Sequence, residues 1–298
     1  MLAIAISGYE IRYIIWDRSE GEVRLVACQV IPWESEIDPF HDVAQARDMI
    51  QRIVSEAGPV STGPIYLTLD AGFCHFSMLE VDPSWSSKEQ LEFIAHSRFG
   101  EEPVYVSFQY QLLDDSRFFL NVDCPQVLRR AIRIALPETS SNSHSLSIGL
   151  FSAYHYAKRV VPALERGRRL FWRTSEFSPD QFLEILDGEF KALHFFQRTA
   201  SGVRHIKTVG SGHLQEPIMD FYGQLGKGRN AIFPEVESVF VYLGSGGTGF
   251  LEQILSEEQS TLSLLNPFWR WNWPEVPEAE NRFTQSAFSE LADAIWAS

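Results

Sequence analysis

At 298 residues, 45% of them hydrophobic and 21% charged, the chain is long enough for two domains of ordinary size and too apolar for a disordered segment. Its formal net charge of -14 argues against nucleic acid and anionic membrane surfaces as direct partners, since both demand a cationic face, and favours basic ones. The three cysteines, Cys28, Cys74 and Cys124, are widely spaced and never paired as C-x-x-C, which fits a reducing compartment and neither a disulfide framework nor a zinc site. With no apolar run of about 18 residues and no signal-peptide pattern, the sequence predicts a cytoplasmic protein that meets a membrane only through a partner.

In chain order, Leu2 to Ile6, Ile11 to Asp17 and Glu22 to Ile31 predict three strands, the last two joined by the Ser19-Glu20-Gly21 turn. Residues 41–57 place Ala46, Met49, Ile50 and Ile53 on one stripe of an amphipathic helix. Strands follow at Ile65 to Leu69 and Phe73 to Val81, around Asp70-Ala71-Gly72. Ser86 or Ser87 then caps a helix carrying Leu91, Phe93, Ile94 and Ser97, ended by Gly100. Val104 to Leu113 and Phe118 to Val122 read as strands, with Asp114-Asp115 as the turn between them. Pro125 to Leu136 is a basic amphipathic helix whose arginines form a solvated face, and Thr139 to His144 a loop. A short strand and the helix SAYHYAKRVVPAL close this half. From Arg168 three strands recur, at Leu170 to Trp172, Phe182 to Leu186 and Phe190 to Arg198, the last two joined by the hairpin signal Asp187-Gly188. A helix over Leu214 to Leu225, interrupted near its start by Pro217, follows, and Phe283 to Trp296 predicts a closing amphipathic helix. Each half thus opens with three strands and continues into helices: two similar α/β halves with a cleft between them.

The stretch Ser238 to Leu255, SVFVYLGSGGTGFLEQIL, reads as strand, glycine-rich turn and helix start. Glycines allow close backbone approach and amides at a helix N-terminus favour an anion, so Gly244, Ser245, Gly246, Gly247 and Thr248 are candidates for contacting a nucleotide. The alternative is a turn that only lets helix and sheet pack closely. No Lys follows the glycines, so this is no Walker A loop.

Several stretches resemble the actin-like domain of the type IV pilus assembly protein PilM and the related cytoplasmic domain of the type II secretion protein GspL. They are the N-terminal strand trio; YLTLDAGFCHFSMLEVDPSWSSKEQLEFIAHSRFGEEPVYVSFQYQLL, similar to the family's inserted subdomain; SIGLFSAYHYA, similar to the segment closing its first half; VYLGSGGTGFLEQIL, similar to its adenosine loop; LSLLNPFWRW, similar to its "NPF" strand; and the final FSELADAIWA. The resemblance implies an actin-like, ribonuclease-H-like duplicated α/β fold. Residues 1–167 would form the first lobe, with a small α+β subdomain inserted at about 64–117, and residues 168–298 the second. It also implies a nucleotide cleft to which Gly8 and the late glycine loop would contribute.

The departures from that pattern bear on function. Actin-like ATPases carry Asp-x-Gly in the first hairpin, because phosphates need close backbone amides and a carboxylate must hold Mg²⁺ through water. Here Ala5 stands at the Asp position, Ser7 at the glycine, and Tyr9 and Glu10 bring bulk and negative charge to the phosphate side. Arg12 sits at the family's Lys position. The second hairpin, Leu170 to Ser178, has neither Asp nor Gly, and Arg173 falls about where the acid is expected. Mg-ATP is therefore disfavoured as a cofactor, and no catalytic or metal-ligating residue is assigned.

Other constellations offer less. His194, beside Phe195 and Phe196, reads as a core or interface histidine; His75 and Cys74 point to opposite faces of a strand; His205 and His213 lack a third metal donor at ligand spacing. Trp269, Trp271 and Trp273 would present three indoles on one face of an extended segment, as buried edge packing or as an anchor for a partner. The resemblance implies that the N-terminal cytoplasmic tail of an inner-membrane pilus or secretion protein docks in the inserted subdomain, around Ile65 to Leu113, and it raises the motor ATPase as a second partner. The sequence thus predicts a non-hydrolysing scaffold, against the alternative of an active ATPase or sugar-kinase-like enzyme of the same superfold.

Overall fold

The computed structural model describes residues 1–19, 22–33, 43–57, 64–80, 82, 84–86, 88–89, 105–111, 118–136, 145–161, 164, 166–225, 233, 235–256, 262–268, 282–283 and 285–297. The helix expected through Leu91 and Ser97, the Thr139 to His144 loop and the tryptophans Trp269, Trp271 and Trp273 lie outside them. Ser86 accepts from the Glu89 amide while its own amide donates to the Glu89 carboxylate at 2.7 Å, a capping box at the expected helix start.

The first sheet has the order β3-β2-β1-β4-β8, built from β1 (Leu2–Ile6), β2 (Glu10–Ser19), β3 (Glu22–Pro32), β4 (Ile65–Leu69) and β8 (Ser145–Ile148). The second has the order β12-β11-β10-β9-β13-β14, from β9 (Arg168–Ser175), β10 (Asp180–Leu186), β11 (Glu189–Thr199), β12 (Gly202–Gly210), β13 (Ser238–Ser245) and β14 (Leu262–Leu264). In each, an antiparallel meander of three strands continues into two parallel ones: β1 pairs parallel with β4 and β4 with β8, as β9 does with β13 and β13 with β14. The two halves therefore repeat one topology. A third sheet, β5-β7-β6, is formed by β5 (His75–Glu80), β6 (Tyr105–Gln111) and β7 (Phe118–Pro125).

The second half opens with four strands rather than three. In β12, Val203, His205, Lys207 and Val209 turn inward and Arg204 and Ile206 outward, an alternation hidden by the charges among the inward residues. This edge strand meets the third sheet, where the Lys207 ammonium lies 4.6 Å from the Phe195 ring centre and 5.7 Å from that of Phe76. The Asp187-Gly188 hairpin is as expected, with φ of 52° and 82° as a two-residue turn of this hand requires.

Helices α1 (Val43–Ala57) and α2 (Gln126–Ala135) cover one face of the first sheet, burying Ala46, Ile50, Ile53, Leu128 and Ile132 with Leu2, Ile4 and Ile6. Helix α3 (Gly149–Val160) starts earlier than expected and stops before Pro162. Helix α4 (Gln215–Leu225) is not interrupted by Pro217, which falls in the first turn where an amide needs no intrahelical partner. It packs Ile218, Phe221 and Tyr222 with Trp172, Phe182 and Phe196. Helix α5 (Gly249–Ser256) follows β13.

The closing segment is not one helix. Residues 282–283 and 285–286 are helical, and a turn at residues 287–288 and a 3₁₀ turn at Ser289–Leu291 separate them from α6 (Ala292–Ala297). Two serines cause the break: Ser286 donates to the Phe283 carbonyl, and Ser289 leaves the helical path to donate to Leu265 O at 3.0 Å. The result points Glu290 into the space between the sheets.

Candidate functional site

The strand ends of both halves meet in a cleft. Its two hairpins share one device. Ser7 Oγ accepts from the amides of Tyr9 at 3.3 Å and Glu10 at 3.1 Å; Ser175 Oγ accepts from those of Phe177 at 3.3 Å and Ser178 at 3.0 Å. A hydroxyl thus organises each turn, at matching places in the repeat. Counting back two residues from each serine makes Ala5 and Arg173 equivalent. The hairpin tips touch: the Tyr9 and Phe177 rings lie 5.2 Å apart, and Gly8 is buried in the first turn.

Arg173, 1% exposed, crosses the cleft floor. Its Nη2 lies 2.9 Å from Asp70 Oδ2 and donates to Gly244 O at 3.1 Å, while Nε donates to Glu290 Oε1 at 2.6 Å. Burial works against the guanidinium's charge, but Asp70 and Glu290 more than offset that and hold its pKa above the usual range. Asp70, at the end of β4, also accepts from Gly72 N at 2.7 Å and from Gln181 Nε2 of the second sheet at 2.8 Å. The Tyr242 hydroxyl, donating to Glu290 at 3.3 Å, is pushed well up by its burial and by that carboxylate.

The late glycine loop is enclosed by the same groups. A methyl on Gly244 would sit 2.5 Å from Arg173 Cζ and 2.6 Å from Nη1, so this glycine makes room for the guanidinium. Gly246, at φ 90°, faces Glu176 and Phe177. Its amide donates to Glu10 Oε2 at 3.4 Å, and the Gly247 amide to Glu176 Oε2 at 2.9 Å. Ser245 bonds Ser175 through their hydroxyls, and Thr248 Oγ1 donates to Glu252 Oε1 at 2.6 Å on the first turn of α5. Arg12, paired with Glu10, donates from Nη1 to Leu243 O at 2.9 Å and Ala287 O at 2.5 Å. Both arginines therefore hold carbonyls at the end of β13.

A cavity of about 490 Å³ adjoins the loop, lined among others by Thr174, Ser175, Arg198, Leu243, Gly247 and Gly249. Below it Asp180 accepts from the Ser175 amide at 2.9 Å and from the Tyr222 hydroxyl, and faces Arg198 Nε at 3.1 Å. Burial raises the Asp180 pKa despite Arg198 and those donors. A carboxyl raised on folding contributes most below its unfolded value and loses that contribution as pH rises through its folded value. Comparing wild type with Asp180→Asn by thermal unfolding, the difference should move in the variant's favour between pH 4 and pH 7; movement the other way would contradict the burial argument.

Sequence reasoning brought Gly8, Tyr9, Glu10, Arg12, Arg173 and the glycine loop to this place, but missed Asp70, Glu176 and Glu290. Asp70 looked like a hairpin turn, Glu176 like a loop residue and Glu290 like the polar face of a helix. The available signal was Arg173 itself, a cation directly after the apolar run Leu170 to Trp172 that must find carboxylates when buried. His194, 0% exposed, lies between Glu184 Oε2 at 3.0 Å and Thr208 Oγ1 at 2.9 Å, away from the cleft.

No protein-family model and no curated protein sequence matches the chain. Among solved structures it is similar to a chain of a PilM-PilN type IV pilus biogenesis complex, with a TM-score of 0.63 at 14% identity over 99% of this chain and 97% of that one. The fold is the two-lobed, actin-like α/β fold. Lower similarities reach a protein with actin-like ATPase fold and unknown function from Bacteroides thetaiotaomicron (TM-score 0.45, 10% identity, 89% and 90% covered). They also reach the cytoplasmic domain of EpsL, an inner membrane component of the Vibrio cholerae type II secretion system (0.42, 12%, 97% and 94%).

Proposed function

We propose that this chain is a non-hydrolysing scaffold of a type IV pilus or type II secretion assembly platform, peripheral to the inner membrane on its cytoplasmic side. There it holds the N-terminal cytoplasmic tail of a membrane partner and contacts the motor ATPase. In this reading residues 1–167 and 168–298 are the two lobes, and the β5-β7-β6 sheet belongs to an inserted subdomain that offers the tail its groove. The PilM-PilN likeness, which spans nearly all of both chains, supports the assembly role. Among the described residues no helix is long and apolar enough to cross a membrane, which fits attachment through a partner.

The observation that carries the non-hydrolysing part is Arg173. The repeat makes it equivalent to Ala5, so neither hairpin presents a carboxylate at the place from which one would hold Mg²⁺ through water. The carboxylates that do reach the centre, Asp70 and Glu290, are bonded to the guanidinium. The residues present do not suit a magnesium-bound polyphosphate.

A second reading, an ATP-binding ATPase or sugar-kinase-like enzyme of the same superfold, draws on the 490 Å³ cavity beside the glycine loop. Titration calorimetry with Mg-ATP separates the two: binding no tighter than millimolar is expected, and micromolar affinity with phosphate release would establish the enzyme. Pull-downs with synthetic N-terminal tails of the membrane proteins encoded nearby should recover one binder; recovery of none would remove the scaffold's main role.

A further inference from the structure

We infer that the chain carries its own substitute for a cleft ligand. Glu10 and Glu176 take the loop amides that a phosphate would take, Arg173 takes the place of the cation, and the lobes are held together by built-in charge instead of a nucleotide. This deepens the non-hydrolysing reading and rests on it, but not on any particular partner.

The anion side is explicit. Amides at a helix N-terminus attract negative charge, and those of Gly246 and Gly247 precede α5. One carboxylate comes from each hairpin: Glu10 closes the Ser7 turn, and Glu176 lies inside the Ser175 turn. An incoming phosphate would have to displace both. It would also enter an unfavourable field, because four carboxylates (Glu10, Asp70, Glu176, Glu290) surround two guanidiniums (Arg12, Arg173), a formal balance of -2.

On the cation side, only one half of the repeat carries an arginine at the equivalent position. Gly244 leaves the space that the Arg173 guanidinium occupies. Arg173 fills it and reaches across to Asp70 of the other lobe, while the equivalent residue of the first hairpin, Ala5, is buried and carries no charge. Four further contacts cross at the same level: Gln181 to Asp70, Arg12 to Leu243 O, Gly246 N to Glu10, and Tyr9 against Phe177. Bridging two lobes is what a metal-bound nucleotide does in a clamp; here side chains do it.

Hydrogen exchange by mass spectrometry on the full chain tests this, following the peptide that spans Gly244 to Phe250. Without ligand the wild type should be protected there, and inorganic triphosphate with magnesium should leave it unchanged. Glu176→Ala alters an exposed side chain, so it should keep the wild-type circular dichroism while exchange of this peptide rises roughly tenfold, as loss of one charge-assisted bond predicts. Adding Glu10→Gln should raise it further. Exchange as fast in the wild type as in Glu176→Ala, or added protection of the wild type by magnesium triphosphate, would overturn the inference. ATP hydrolysis by the wild type would instead bring down the functional reading beneath it. Free exchange without hydrolysis would remove the built-in ligand alone.

Discussion

Replacing Arg173 with Met should lower the unfolding free energy by about 3–5 kcal/mol, the usual cost of removing one partner from a buried ion pair. Methionine keeps much of the stem's volume, so the loss is electrostatic. Asp70 would retain its bonds from Gly72 N and Gln181, and Glu290 its bond from Tyr242, but neither would keep a counter-charge in a site closed to water. The triple variant Arg173→Met, Asp70→Asn, Glu290→Gln should recover most of the deficit, since a neutral, hydrogen-bonded set often matches the ion pair it replaces. Urea unfolding gives both numbers. A single variant as stable as wild type would mean that the guanidinium does not hold the lobes.

Gly244→Ala should also destabilise the protein with no ligand present, by about 1–3 kcal/mol from overpacking. The added methyl has nowhere to go but into Arg173, with Cγ 2.7 Å away as well as the guanidinium. The effect should vanish in an Arg173→Ala background, where that stem is gone, so the two costs should be strongly non-additive. A glycine kept for a bound phosphate behaves oppositely: alanine leaves the unliganded protein unaffected and impairs only binding. Equal cost in both backgrounds would separate the glycine from the arginine.

What the sequence made legible was local. Strand β1 is a short, wholly buried apolar run, Asp187-Gly188 announces its hairpin, and the glycine loop sits between an apolar run and a helical one. The cleft interior is a different matter, because its groups converge from β4, β9 and the closing segment, and no local periodicity encodes that meeting. Arg173 could be seen as a missing acid but not as a bridge, since Asp70 and Glu290 carried ordinary turn and helix signals. Strand β12 escaped because Lys207 and His205 face inward with their apolar parts. The closing helix was overcalled because its apolar spacing is sound, while the bond from Ser289 to Leu265 that breaks it depends on tertiary contact.

The placement of Lys207 across the rings of Phe195 and Phe76 has a mechanical meaning. It ties β12, the outermost strand of the second sheet, to β5 of the third. In the proposed scaffold, a pull on the third sheet would also load the second, and the tether would weaken under any change that took away the ammonium or either ring.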